Sequence, residues 1–436
     1  MHIKELTIEN FRGFEHLHLK FPFDEEKPKP VVIFGINGSG KTSILDAISY
    51  LLADFIEEIE LTKVFFQHTL NPDDSKIYTN HTILNIKIQC AKEKLIEWTA
   101  SLEIYFNEFE IEKSLQNIKQ YAQTLHNSFT KSEKSLPILK YFPTNRILKK
   151  EKHKPYKGKF KVYNQAFSKN LSSFNDFLVA FEQLENFENQ EKLKKEDFKY
   201  RDPHLEVIRT SLERFLSKLP NSDYTNLRVE RKQKNQDFSK DSIETYLVID
   251  KKGQTLKISQ LSHGEQMLLM MVGDIAHRLT LANLKGNPIN GKGIVLIDEI
   301  ELHLHPSWQG LTINALCEVF PNIQFIVTTH SPLVINHIKK ESIFGLKDNQ
   351  IVHLPNFNNY GAEIEHVLTL LQGVSEEAIV PSVVSSKLAQ YFEQIDNNNI
   401  EQAKAIRSDL EKIIDPQHPE ILKGNTLIKM KELLGK

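Results

Sequence analysis

The stretch "VVIFGINGSGKTSILDAI", residues 31–48, constrains this chain more than any other. Four apolar residues read as a buried strand, and the run beginning at Lys41 reads as a helix with an apolar stripe. Between them stands GxxxxGK[ST], with Gly35, Gly40, Lys41 and Thr42 at the fixed positions and Asn37, Gly38, Ser39 and Ser43 completing the loop. Glycines let backbone N–H groups curl round phosphate oxygens, and the helix N-terminus adds the positive end of its dipole. Lys41 is expected to reach the β- and γ-phosphates of ATP, and the Thr42 hydroxyl to hold Mg2+. The unit belongs to an α/β fold in which ligands gather at the carboxyl ends of the strands.

Two later strands end in chemistry of the same kind. "GIVLIDEIELHLHP" places Asp298 and Glu299 directly after a buried apolar run. Asp298 is expected as the second Mg2+ ligand, and Glu299 as the group that orients or deprotonates an attacking water. His303 and His305 form an H-x-H without a third committed nitrogen or sulfur ligand, which is weak ground for a metal site. "FIVTTHSP" is a further buried strand, with His330 at its end and Pro332 placed to start a helix. His330 is expected to donate a hydrogen bond to the γ-phosphate. In "QLSHGEQMLLMMVGDIAHRL", Ser262, Gly264 and Glu265 stand at the mouth of an apolar helix. Taken alone, that stretch suits either an anion site or an ordinary serine cap.

Strand character is concentrated in residues 1–107 and 243–350, expected as two lobes carrying the nucleotide-binding motifs. A mostly helical insertion is expected at 108–242, where Ile111, Leu115, Ile118, Ala122, Leu125 and Phe129 recur at helical spacing. A helical region is expected at 351–436. With 436 residues the chain is long for one core. Its 55 basic and 57 acidic residues give a net charge of −2, so any case for nucleic acid has to be local. Such a place is 146–161, with eight Lys/Arg residues, one Glu, and Tyr156 and Phe160 interleaved. It suits phosphate neutralisation and base stacking, or a solvated loop. Cys90 and Cys317 lack CxxC spacing and read as reduced residues of a cytoplasmic protein. The longest apolar runs are too short to span a bilayer, and no signal peptide opens the chain, so no membrane association is expected.

The order of residues 35–42, "LSHGEQ", "IVLIDE" and "TTHSP" resembles an ABC-type ATPase head of the SMC/RecF/Rad50 branch. The resemblance implies a mixed sheet flanked by helices, with a largely helical insertion and a helical C-terminal tail. In that family "LSGGQ" or "LSGGE" is the signature at a helix start, and it contacts the γ-phosphate held by another subunit. Ser262 and Gly264 would then act in trans, with Glu265 in the same motif, although His263 stands where a Gly is usual. "NFRGF" resembles the family's "NFRxF" and implies that Arg12 lies near the nucleotide. Gln67 is the candidate for the family's Q-loop. "DEIELHLHP", "YFPTNR" and "HPEILKGNTLIKMKELLG" narrow the likeness to the PtuA-type subunits of Septu and related retron anti-phage systems. This implies a homo-oligomer, a dimer of heads or higher, that controls a separately encoded HNH nuclease. No strand-borne Glu followed by a DxD pair occurs in 333–436, so a nuclease is not expected in this chain. The alternative is a RecF-like DNA-repair ATPase that binds DNA directly; a Rad50-like one would need long coiled coils and a CxxC hook. A transporter subunit is disfavoured by the length of the insertion.

Overall fold

A computed structural model describes the chain apart from residues 23, 25–26, 62–68, 92–93, 107, 145–159, 169–172, 234–242, 284, 353–357, 372–380 and 435–436. The chain divides into two compact units, Met1–Gly361 and Ala362–Lys436. The division falls later than the boundary expected at 351, because residues up to Val352 still pair into a sheet of the first unit.

The first unit opens with strands β1 (His2–Phe11), β2 (Phe14–Lys20) and β3 (Val31–Phe34), and then helix α1 (Lys41–Glu60). Strands β4 (His81–Ala91), β5 (Lys94–Tyr105) and β6 (Glu108–Ser114) follow, then α2 (Gln116–Thr130) and β7 (Ile138–Phe142). Next come α3 (Ser173–Lys194), α4 (Pro203–Leu216), β8 (Tyr224–Gln233), β9 (Ile243–Lys251) and β10 (Gln254–Lys257). The unit continues through α5 (His263–Ala282), β11 (Gly293–Ile297), α6 (Pro306–Val319), β12 (Ile323–Thr329) and α7 (Pro332–Ile335). It closes with the hairpin β13 (Ile343–Lys347) and β14 (Gln350–Val352).

The central sheet has the order β14-β13-β3-β12-β11-β7. All its neighbours are parallel except the β13–β14 pair. Strands β3, β7, β11 and β12 are buried at every position, as strands covered on both faces are. Register brings their carboxyl ends level: Phe34 faces Thr329, Ile297 faces Val327, and Phe142 faces Ile297. That alignment places Asp298 and His330 at neighbouring strand ends, and Thr42 meets Asp298 there.

A second, antiparallel sheet has the order β2-β1-β4-β5-β6, and a third the order β10-β9-β8. Helix α1 is buried on nearly all sides, at sixteen of its twenty residues, as a helix enclosed between layers is. The indole of Trp98 on β5 donates to the Leu51 carbonyl on one side of α1 (3.1 Å), and β12 of the central sheet lies on another. Gln324 of β12 exchanges two hydrogen bonds with the backbone of Ile3, tying the first two sheets together.

The block expected as a mostly helical insertion at 108–242 is corrected by its strands. Helices α2, α3 and α4 are there, but β6 extends the antiparallel sheet, β7 is a full member of the central sheet, and β8 pairs with β9. Ile111, expected on a helical stripe, lies in β6 opposite Leu102.

The second unit carries helices Ser382–Asp396, Ile400–Leu410 and Pro419–Leu434. Tyr391, Ile395, Ala403, Leu410, Ile421 and Ile428 form its own core.

Candidate functional site

Strand β3 runs into the loop at Gly35, where an added Cβ would lie 2.3 Å from the Leu346 carbonyl oxygen. With the Ser39 hydroxyl 2.6 Å away on another side, the position leaves room for glycine alone. Gly40 ends the loop in the left-handed region (φ 95°), and no side chain caps the helix that follows. The first turn of α1 carries no acidic residue, so its N–H groups and dipole face outward uncompensated. Asn37 and Gly38 are exposed at the loop crest, whereas Ser39 is buried. The Ser39 hydroxyl has no hydrogen-bond partner among the described residues, the kind of group a phosphate oxygen satisfies. Lys41 is buried, and its ammonium donates to the carbonyls of Gly35 (2.8 Å) and Ile36 (2.9 Å). Burial pushes its pKa down, while Glu299, Asp298 and Glu301 pull it the other way.

The structure brings Thr42 and Asp298 together from 256 positions apart in the sequence. Thr42 Oγ1 donates to Asp298 Oδ2 at 2.8 Å. The other carboxylate oxygen accepts from Thr328 Oγ1 of β12 at 2.5 Å, and the same hydroxyl accepts from the Glu299 N–H at 2.8 Å. Thr328, which sequence reasoning missed, thus fixes both acidic residues. Asp298 is fully buried, while Glu299 is partly exposed. Glu299 sits at φ 47°, an uncommon conformation for a residue with a Cβ, so the strand row over-determines its backbone. Mg2+ fits this pair. A hydroxyl and a carboxylate oxygen already stand within hydrogen-bond distance, and Mg2+ takes one or two such ligands beside phosphate oxygens and water.

His330 follows β12, half exposed at its side chain. Its backbone N–H donates to Glu301 Oε1 (2.7 Å), and its Nδ1 lies 3.0 Å from the same oxygen. Glu301, also missed from the sequence, is buried, and its Oε2 has no hydrogen-bond partner among the described residues. Both missed residues could be found only by knowing that β11 and β12 are neighbours.

Ser262 caps α5 through a box closed by Glu265. The Ser262 hydroxyl and backbone N–H both meet Glu265 Oε2 at 2.7 Å. The second Glu265 oxygen receives Lys251 Nζ (2.6 Å) and the Tyr224 hydroxyl. Burial opposes the charge on Glu265, but Lys251, Tyr224 and Ser262 outweigh it and draw the pKa down to about 2. Glu265 was expected among the nucleotide contacts; its carboxylate is committed to holding the turn. A Cβ on Gly264 would lie 2.2 Å from the carbonyl oxygen of His303, so the α5 start is pressed against the loop after β11. His263, which had no evident role in the sequence, packs its ring edge-on against that of His303, with centroids 4.5 Å apart. His305 caps α6, accepting from the Ser307 N–H at 3.2 Å.

Arg12 was expected near the nucleotide. Its guanidinium binds Asp46 of α1 (2.8 Å) and Asp74 (2.9 Å), and reaches the Ser43 hydroxyl at 3.4 Å. Burial weighs against the charge, but the two carboxylates hold its pKa above the usual arginine value. It therefore braces the first turns of α1 from behind. Gln67 and the basic stretch through residue 159 lie outside the described residues. Phe160, at the end of that stretch, is buried and stacks with His126, with centroids 4.9 Å apart. Among the described residues no helix is long and apolar enough to cross a membrane.

Residues 31–336 match a family model described as "AAA domain, putative AbiEii toxin, Type IV TA system". The chain is 28% identical to a "Retron Vc95 probable ATPase" of Vibrio cholerae serotype O1 biovar El Tor, over 90% of this chain and 83% of that protein. It is 25% identical to a "Septu protein PtuA" of Bacillus mycoides (strain KBAB4), over 87% of this chain and 44% of that longer protein. Among solved structures, an SMC head bound to the C-winged helix domain of ScpA matches with a TM-score of 0.44 and 16% identity. That match covers 81% of this chain and 98% of the SMC head.

Proposed function

The chain belongs to this AAA-domain family and is an ATPase, and from that premise we propose that it is a switch in which two heads close over ATP. Its setting is anti-phage defence, the work of the retron and Septu systems whose proteins it resembles. The loop at 35–42 and the bare start of α1 take the phosphates, with Lys41 turning from the loop carbonyls to the β- and γ-oxygens. Thr42 and Asp298 would hold Mg2+, which would supply positive charge beside the phosphates. Glu299 orients the attacking water and takes its proton, and His330 contacts the γ-phosphate. Ser262 and the Gly264 N–H, on a turn held by Glu265, complete the site of a second subunit. Arg12 contributes through Ser43 and Asp46 rather than by touching nucleotide.

Closing and opening would license or restrain a separately encoded HNH nuclease in the cytoplasm. ATP drives such a change only by binding the two conformations with different affinity. The observation that carries the proposal is the meeting of Thr42, after β3, and Asp298, after β11, across the end of the intervening β12, with Glu299 beside them. Glu299→Gln should bind ATP and stay closed, with turnover down about 100-fold or more; Lys41→Ala should not bind. Near-normal turnover in Glu299→Gln removes Glu299 from the mechanism. Nucleotide-dependent co-purification with an HNH protein encoded in a neighbouring reading frame tests the partner.

A further inference from the structure

We propose that Glu301 is the positioning residue of His330, and that its carboxylate holds the ring that faces the γ-phosphate. The inference rests on the assignment of ATP to the loop at 35–42.

The geometry is specific. One carboxylate oxygen accepts from the backbone N–H of His330 at 2.7 Å and lies 3.0 Å from its Nδ1. Because the same oxygen is tied to the backbone, the ring cannot turn without leaving it. The side chain of Glu301 is 5% exposed and that of His330 is 50% exposed. The carboxylate is therefore inside, while part of the ring is accessible.

Glu301 brings a buried carboxylate to this face of the site. Its remaining oxygen is buried without a hydrogen-bond partner among the described residues, an arrangement that costs stability unless the charge is used. Its charge also reaches Lys41, the other cation of the site. Glu301 thus lies in the field of both groups expected at the γ-phosphate. Glu299 and Asp298 already account for water and metal, so Glu301 has no competing duty among the carboxylates after β11.

Glu301→Gln tests the charge without removing the acceptor, since the amide oxygen can still meet the His330 N–H. In the full chain, kcat should fall about 10-fold or more, while KM for ATP stays within about twofold, as for an interaction made chiefly at the transition state. The same substitution in a His330→Ala background should change nothing further, because its effect runs through the ring. Normal turnover by Glu301→Gln overturns the inference, as does an equal loss with and without His330. If the unaltered chain neither binds nor hydrolyses ATP, the assignment of the loop falls and takes this inference with it; the other two outcomes leave that assignment standing.

Discussion

Thr328 has no charge and touches no expected ligand, yet its hydroxyl sets the position of two carboxylates. It donates to Asp298 and accepts from the Glu299 N–H. Thr328→Val keeps the shape and strips both bonds. A buried acceptor and a buried donor left unpaired cost about 1–3 kcal/mol each. We expect a lower thermal midpoint, a kcat reduced about tenfold, and a Mg2+ titration of turnover shifted to higher concentration. A variant with normal rate and normal Mg2+ dependence would reduce Thr328 to a strand filler. The difference between Thr328 and Thr42 shows what sequence carries. Lys41 and Thr42 are legible because loop, strand and helix are contiguous, and their roles depend on local backbone. Thr328 and Glu301 act across the register of β11 on β12, which pairs Ile297 with Val327 thirty positions away. Arg12 was placed beside the loop by its motif, but the motif is silent about Asp46 and Asp74, which occupy its guanidinium.

Among elements, the start of α5 is the most constrained. Two things hold it: the Glu265 clamp to Ser262, Lys251 and Tyr224, and the close approach of Gly264 to His303. The clamp is ionised at any pH suited to an assay, since the Glu265 pKa is near 2. Gly264→Ala forces a Cβ to within 2.2 Å of a backbone oxygen that has little freedom to retreat. It should cost about 1–3 kcal/mol in urea unfolding, as overpacking does, and displace the loop that carries Glu301. Wild-type stability in this variant would mean that the loop yields easily and does not fix the turn. Strands were harder to place than this helix. In "EFEIEKS" the apolar residues fit both a strand alternation and the helical stripe running on through Ile118. Pairing with β5 decides for the strand, setting Phe109 and Ile111 opposite Ile104 and Leu102. Tertiary pairing overrides a local period wherever the two patterns coincide over a few residues.

At the scale of the whole molecule, the loop at 35–42 and the turn at 262–265 are separate devices. Ser262 and Gly264 stand against the His303 loop of their own chain. If they serve a phosphate on a second copy, the two halves of each site are separable by mutation. Lys41→Ala spoils the loop and spares the turn, while Ser262→Arg spoils the turn and spares ATP binding. Each variant alone should be inactive. Mixed one to one, about half of the dimers pair one of each, and one of their two sites joins an intact loop to an intact turn. Random two-fold association therefore predicts recovery of about a quarter of wild-type turnover. A device acting within one chain predicts none at any mixing ratio, because no single chain in the mixture carries both halves. Recovery that rises and falls with the proportion of mixed dimers, rather than with either variant, would tie hydrolysis to closure of two heads. Persistent inactivity, with mixed dimers shown to form, would confine the turn to its own subunit and leave Ser262 as a helix cap.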